Sequence, residues 1–121
     1  MKTRESEEMY LETIYLLKNK KGTVRSVDVV DELGYAKSSV SRGVNLLQQR
    51  GYIEISHLTG DIEFTEAGLK KAESVYERHS VLTAALIKLG APRELAETDA
   101  CRIEHVISPE MFDIIKNFAS K

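Results

Sequence analysis

The apolar residues of this chain keep a helical period as far as residue 50, switch to alternation between Ile53 and Phe64, and then return to the helical period. Tyr10, Leu11, Ile14 and Leu17 recur at steps of three and four, which predicts a helix over 5–19 that ends at Lys20-Lys21-Gly22. A short second helix is expected over 26–33, with Ser26 as its N-cap and Gly34 as its stop. A third is expected over 37–50, with Val40, Val44 and Leu47 as its core face and Gly51 closing it. Ile53 and Ile55, then Ile62 and Phe64, alternate with polar neighbours around the turn Leu58-Thr59-Gly60-Asp61, the pattern of a β-hairpin. Three helices followed by a hairpin is the order of a winged helix-turn-helix. Beyond it, Thr65 and Glu66 open a long helix whose apolar pattern persists to Leu89, and Gly90 stops it. Pro92 fits the first turn of a fifth helix, and Ser108-Pro109-Glu110 opens a last one.

Composition narrows the class. With 42% hydrophobic residues the 121-residue chain can bury a core. Its single cysteine excludes an intramolecular disulfide. No apolar run approaches the roughly 20 residues of a membrane span, and MKTRESEEMY has no apolar signal core, so a cytoplasmic protein is expected. The net charge of −2 is unevenly spread. Lys18 to Arg50 carries seven basic and three acidic residues, whereas Pro92 to Asp113 carries two basic and six acidic. A basic front and an acidic back suit DNA on one side and a cation on the other, although ordinary solvated surface reads the same way.

In a helix-turn-helix the second helix of the motif enters the major groove through its N-terminal residues. Here that is the start of the third helix. With Val40 turned inward, Lys37, Ser38, Ser39, Ser41 and Arg42 remain as DNA candidates, with Arg42 as the expected guanine reader. Ser38 equally suits helix capping. Lys37, Lys20 and Lys21 suit phosphate, and the wing tip from His57 to Asp61 would lie near the adjacent backbone.

Cys101-Arg102-Ile103-Glu104-His105 brings a thiol, a carboxylate and an imidazole to one helical face. Met9 and Glu12, three residues apart, share a face of the first helix, and His79 lies within the long helix. Thiolate, thioether, imidazole and carboxylate suit a first-row divalent metal better than Mg²⁺ or Ca²⁺. One cysteine does not make the usual closed zinc set, so Fe(II) or Mn(II) is favoured, with other divalent transition metals able to bind in vitro. Taken singly, Met9 also reads as core, Cys101 as a small buried hydrophobe and His79 as a helix-surface residue. Met111, Ile114, Ile115 and Phe118, with Val81, Leu82, Ala85 and Leu89, exceed what so small a region can bury internally. They are the expected homodimer interface. The resulting expectation is a mainly α chain with a small β-hairpin, having a winged helix-turn-helix DNA-binding domain at 1–65 and a helical dimerisation and metal-binding domain at 66–121.

The residues also resemble a family. Glu8-Met9-Tyr10-Leu11-Glu12-Thr13-Ile14-Tyr15, Ser39-Val40-Ser41, Leu47 to Ile53, Phe64-Thr65-Glu66-Ala67-Gly68, Arg78-His79 and Asp99 to Ser108 together resemble the diphtheria-toxin-repressor family of metal-dependent repressors, over nearly the whole chain. The resemblance implies a homodimer with Fe(II) or Mn(II) as co-repressor, binding double-stranded operators near metal-homeostasis genes. It implies one metal site from Met9, Cys101, Glu104 and His105, and a second, adjacent position completed by Glu12 and His79. It also implies a short form without the SH3-like domain of the iron repressors. The chain departs from the family pattern in having Thr83 where an acidic residue follows His79, and Ala36 where an N-cap serine is common.

Two rival readings use other chemistry. A winged-helix regulator sensing oxidants through Cys101 would use thiolate chemistry in place of metal. A metal-dependent hydrolase lacks support, since the chain has no HExxH motif and no nucleophile–base pair. No enzymatic activity is expected.

Overall fold

The computed structural model describes residues 3–121; residues 1 and 2, where the expected N-terminal domain begins, lie outside them. Six helices and one hairpin follow in the order α1 (Thr3–Lys21), α2 (Ser26–Leu33), α3 (Lys37–Gln49), β1 (Ile53–Ile55), β2 (Ile62–Phe64), α4 (Glu66–Lys88), α5 (Arg93–Ile103) and α6 (Pro109–Ser120). This is the mainly helical fold with a small hairpin that the sequence patterns predict. No helix among the described residues is long and apolar enough to cross a membrane. The chain forms two compact units, one ending at Glu73 and the other beginning at Ser74.

The first unit is built around Leu11 and Ile14 of α1, Val29 of α2, Val40, Val44 and Leu47 of α3, and Ile53 and Ile62 of the wing, each at most 1% exposed. The same residues form the three- and four-step stripes of the sequence, because each amphipathic helix is stable here only when its apolar face is covered. Helix α2 starts at Ser26, but its N-cap is Arg25, not the expected Ser26. Arg25 has the extended backbone of a cap, and the Asp28 carboxylate accepts its N–H at 2.8 Å. Gly34 closes α2 in the left-handed region (φ 70°), with its N–H donated to the Val30 carbonyl at 2.8 Å. Ala36 is the N-cap of α3 and makes no side-chain cap, so Ser38 lies inside the helix and does not cap it.

The hairpin strands are antiparallel, with Ile53 opposite Phe64 and Ile55 opposite Ile62. The wing is anchored at three places. The Ile62 N–H donates to the Val24 carbonyl (2.8 Å), the Ile55 N–H to Gln48 Oε1 (2.8 Å), and the Thr65 hydroxyl to the Gly51 carbonyl (2.6 Å). Thr65 also caps α4, since its Oγ1 accepts the Gly68 N–H at 3.1 Å.

In the second unit Ser108 caps α6 by accepting the Met111 N–H at 3.2 Å, and Pro109 opens the helix. Phe112 is the residue of α6 that is buried, whereas Met111, Ile114 and Phe118 of the predicted stripe are exposed. Helix α5 ends at Ile103 and does not carry the whole 101–105 cluster. Glu104 is its C-cap and His105 follows in the succeeding turn.

Candidate functional site

The charged end of α5 is assembled from its buried face. Ala96, Ala100 and Glu104 follow at steps of four, and all three have no solvent exposure. Two small residues therefore lead to a carboxylate with no access to water. Glu104 keeps helical dihedrals (φ −58°, ψ −26°), and its N–H still bonds the Ala100 carbonyl at 2.9 Å. The three-and-four offset of the 101–105 cluster thus survives past the end of the helix. Glu104 Oε2 lies 3.3 Å from His79 Nδ1, and Oε1 lies 3.4 Å from His105 Nε2. Neither oxygen accepts a hydrogen bond among the described residues. The ligand atoms of Cys101, Glu104 and His105 lie within 4.8 Å of one another, with Cys101 exposed and the other two buried. His79 reaches the cluster because Val75, His79 and Leu82 lie on one stripe of α4.

A buried carboxylate without hydrogen bonds is costly unless a positive charge compensates it. The end of α5 adds exposed carbonyl dipoles of the same polarity. One thiol, one carboxylate and two imidazoles fit a first-row divalent cation. Thr83, four residues after His79, is buried with no hydrogen bond to its hydroxyl, so no carboxylate stands there.

The remaining predicted ligands belong to the first unit. Glu12 is buried on α1, and Met9 is partly buried against the first core, its sulfur accepting a hydrogen bond from the Tyr35 hydroxyl at 3.5 Å.

On α3, Lys37, Ser38, Ser41 and Arg42 are exposed and Ser39 is half-buried. The Ser39 hydroxyl accepts from Arg42 Nη2 (3.5 Å), and the Ser41 hydroxyl accepts from Asn45 Nδ2 (3.4 Å). Asn45 thus joins the exposed row one turn further on. Its spacing of three and four from Arg42 and Ser41 was the signal for it.

The basic front half is largely neutralised by its own neighbours. Lys18 pairs with Glu63 (3.1 Å), Lys21 with Asp28 (2.5 Å), Arg25 with Asp61 (3.3 Å) and Arg50 with Glu7 (2.8 Å). Lys20, Lys37 and Arg42 enter no ion pair among the described residues. Lys21's hydrogen bond, with the Arg25 N–H, holds the Asp28 carboxyl below its ordinary range.

Glu7, which the sequence patterns left unassigned, is 4% exposed. Its second partner is Lys71 at 2.7 Å, and Lys71 also donates to the Tyr52 hydroxyl at 3.4 Å. Burial pulls the Lys71 ammonium down, but the Glu7 bond and charge outweigh this and hold it above the ordinary lysine value. The signal for Glu7 was its place on the apolar stripe, since 7, 10, 11 and 14 share one helical face.

In the second unit the predicted interface residues diverge in exposure. Leu82 and Ala85 are buried, Val81 and Ile115 half-buried, and Leu89, Met111, Ile114 and Phe118 exposed. Leu82, Ala85, Leu86, Leu89, Ile103, Ile114, Ile115 and Phe118 line an open groove of about 340 Å³ without a polar side chain.

Comparison with known proteins accounts for both halves. Residues 2–60 match the family model described as the iron dependent repressor N-terminal DNA binding domain. Residues 65–121 match the one described as the iron dependent repressor metal binding and dimerisation domain. The transcriptional regulator MntR of Escherichia coli is 33% identical over 118 residues, covering 98% of this chain and 76% of the relative. The iron-dependent repressor IdeR of Mycobacterium tuberculosis is 31% identical over 110 residues, covering 88% of this chain and 46% of the relative. The crystal structure of IdeR from T. acidophilum superposes with a TM-score of 0.82 at 25% identity, covering 95% of this chain and 54% of that one. The fold and these matches define a DNA-binding transcriptional regulator, not an enzyme. The chain belongs to the family of metal-dependent repressors that includes the diphtheria-toxin repressor, MntR and IdeR.

Proposed function

We propose that this chain is a metal-activated repressor that takes Fe(II) in preference to Mn(II), dimerises, and binds double-stranded operator DNA of metal-homeostasis genes. The observation that carries this reading is the Glu104 carboxylate, sealed from water, flanked by His79 and His105, and set beside the Cys101 thiol. The sulfur favours Fe(II) over Mn(II), since thiolates select softer cations than carboxylates do. When bound, the ion supplies positive charge beside this buried carboxylate, which accepts no hydrogen bond among the described residues.

In this reading Cys101, Glu104 and His105 form the core of the site. Met9 and Glu12 of α1 complete it, with Glu12 and His79 available to an adjacent position. Residues 1–65 read DNA, and residues 66–121 bind metal and dimerise. Arg42 contacts guanine, Lys37 contacts phosphate, and Ser38, Ser39 and Ser41 offer hydroxyls to phosphates or base edges. The apolar groove between α4 and α6 supports a homodimer through Val81, Leu82, Ala85, Leu89, Met111, Ile114, Ile115 and Phe118. Metal must prefer the DNA-competent arrangement, and a coupling of about 1–3 kcal/mol gives roughly 5–150-fold tighter DNA binding.

The test is anaerobic titration of a labelled duplex, selected from a randomised library against the wild-type protein, with Fe(II), Mn(II), Zn(II) or no metal. Fe(II) is expected to tighten binding most, and Cys101→Glu with Met9→Asp to move the preference toward Mn(II). Equal affinity with and without metal overturns the proposal. The exposure of the free Cys101 thiol favours oxidant sensing as the second reading. That reading requires release of DNA on peroxide treatment and indifference to metal.

A further inference from the structure

Two tyrosine hydroxyls connect α1 to the start of the reading helix. Tyr35 lies in the turn between α2 and α3, and its hydroxyl donates to the Met9 sulfur at 3.5 Å. Tyr10, the next residue on α1, donates its hydroxyl to the Ser39 carbonyl at 3.4 Å. The Tyr10 ring is 7% exposed and lies against Gly43, where an added Cβ would stand 2.3 Å from ring Cε2. Arg42 Nη2 reaches the Ser39 hydroxyl at 3.5 Å, so the arginine shares Ser39 with Tyr10.

Core packing explains the Tyr10 ring, since a phenyl group would fill the same space. It does not explain the two hydroxyls, each of which spends its proton on a group bordering a proposed function.

We infer that Tyr35 and Tyr10 are positioning residues that transmit the state of the α1 ligand turn to the reading helix. Tyr35 joins the Met9 sulfur to the segment that starts α3, and Tyr10 fixes the Ser39 carbonyl beside Arg42. The inference rests on the reading of Met9 as a metal ligand and Arg42 as a base reader. A thioether sulfur has few electron pairs, so a change in what it binds alters the direction of the Tyr35 bond. Tyr35 is one residue from the α3 N-cap, Ala36, so that change reaches Lys37 through two peptide units and Ser38 through three.

The experiment uses the full chain, Tyr35→Phe and Tyr10→Phe, and the selected duplex with and without Fe(II). Three quantities are measured: Fe(II) affinity without DNA, DNA affinity without metal, and the metal-induced gain in DNA affinity. Losing one hydrogen bond of ordinary net strength is expected to cut the gain by about fivefold in Tyr35→Phe, with the other two quantities within about twofold of wild type. The near-ultraviolet tyrosine difference spectrum on metal addition is expected to shrink in the same variant. A wild-type gain that Tyr35→Phe leaves unchanged overturns the inference while sparing the proposed function. So does a loss of Fe(II) affinity large enough to account for the lost gain, because the hydroxyl then serves the ion and not the helix. No gain in the wild type overturns the proposed function itself. Tyr35 is 39% exposed, so its variant keeps the test decisive if Tyr10→Phe fails to fold.

Discussion

Gly68→Ala sets two effects of opposite sign against each other. Gly68 is a helical residue in the first turns of α4, where alanine gains about 1 kcal/mol in helix propensity. A Cβ there, however, would stand 1.8 Å from the Tyr52 carbonyl oxygen and 2.6 Å from its carbonyl carbon. The obstacle is backbone, so no rotamer relieves it, and α4 must back away from the wing. The same Tyr52 carbonyl accepts the Thr65 N–H at 3.0 Å, and the Thr65 hydroxyl is bonded to Gly51 at 2.6 Å, so the retreat strains both bonds. Overpacking against rigid atoms costs about 3 kcal/mol, the upper end of its usual range. The net expectation is a loss of about 2 kcal/mol after the propensity gain. For a chain of this length that lowers the melting temperature by roughly 8 °C. Urea unfolding followed by far-ultraviolet circular dichroism measures it, with Ala67→Gly at the exposed neighbouring position as the propensity control, expected to lose about 1 kcal/mol. A Gly68→Ala protein as stable as wild type, or more so, would refute the packing argument and leave propensity in command.

Glu7→Gln is expected to lose about 1–2 kcal/mol by urea titration, less than a fully buried pair, because Arg50 and Lys71 retain water access and can rehydrate. The raised Lys71 ammonium contributes stability that is present below the ordinary lysine value and fades as pH rises through its higher folded value, so the Glu7→Gln deficit should narrow in strong alkali. Asp28 has the opposite sign: its contribution is present above the ordinary carboxylate value and is lost as pH falls through its depressed folded value, so Asp28→Asn and wild type should converge in stability toward acid pH. Ile114→Glu, at an exposed position of the apolar groove, is expected to yield monomer in sedimentation at micromolar concentration while leaving Fe(II) affinity unchanged.

The helices and the hairpin were legible because each covers one apolar face, and the spacing of Tyr10, Leu11, Ile14, Val40, Val44 and Leu47 records which face that is. Helix ends were less so. Ser26 has the right chemistry for an N-cap, yet Arg25 has the cap's extended backbone and Asp28 supplies the side-chain acceptor, a division of labour that residue preferences do not encode. The spacing of the 101–105 cluster predicts a helix, and the helical offsets persist because Glu104 keeps helical dihedrals after the regular helix has ended. The apolar stripe of α6 was visible as a stripe, but periodicity does not say which members are covered. Phe112 is inside and Met111, Ile114 and Phe118 are not. Glu7 was legible in principle as a charge on an apolar face, but its partners Arg50 and Lys71 lie 43 and 64 residues away, beyond any local pattern.

The internal pairing of Lys18, Lys21, Arg25 and Arg50 has a thermodynamic corollary. Sequence-blind attraction to a duplex comes from displacing condensed counterions, by roughly 0.9 logarithmic units of salt dependence for each phosphate neutralised. A protomer whose unpaired cations on this stretch are Lys20, Lys37 and Arg42 has little of that leverage, and its grip on arbitrary genomic DNA should be feeble and shallow in salt. Weak background retention keeps such a protein from being sequestered by bulk chromosome, so a few hydrogen bonds to base edges can decide where it rests.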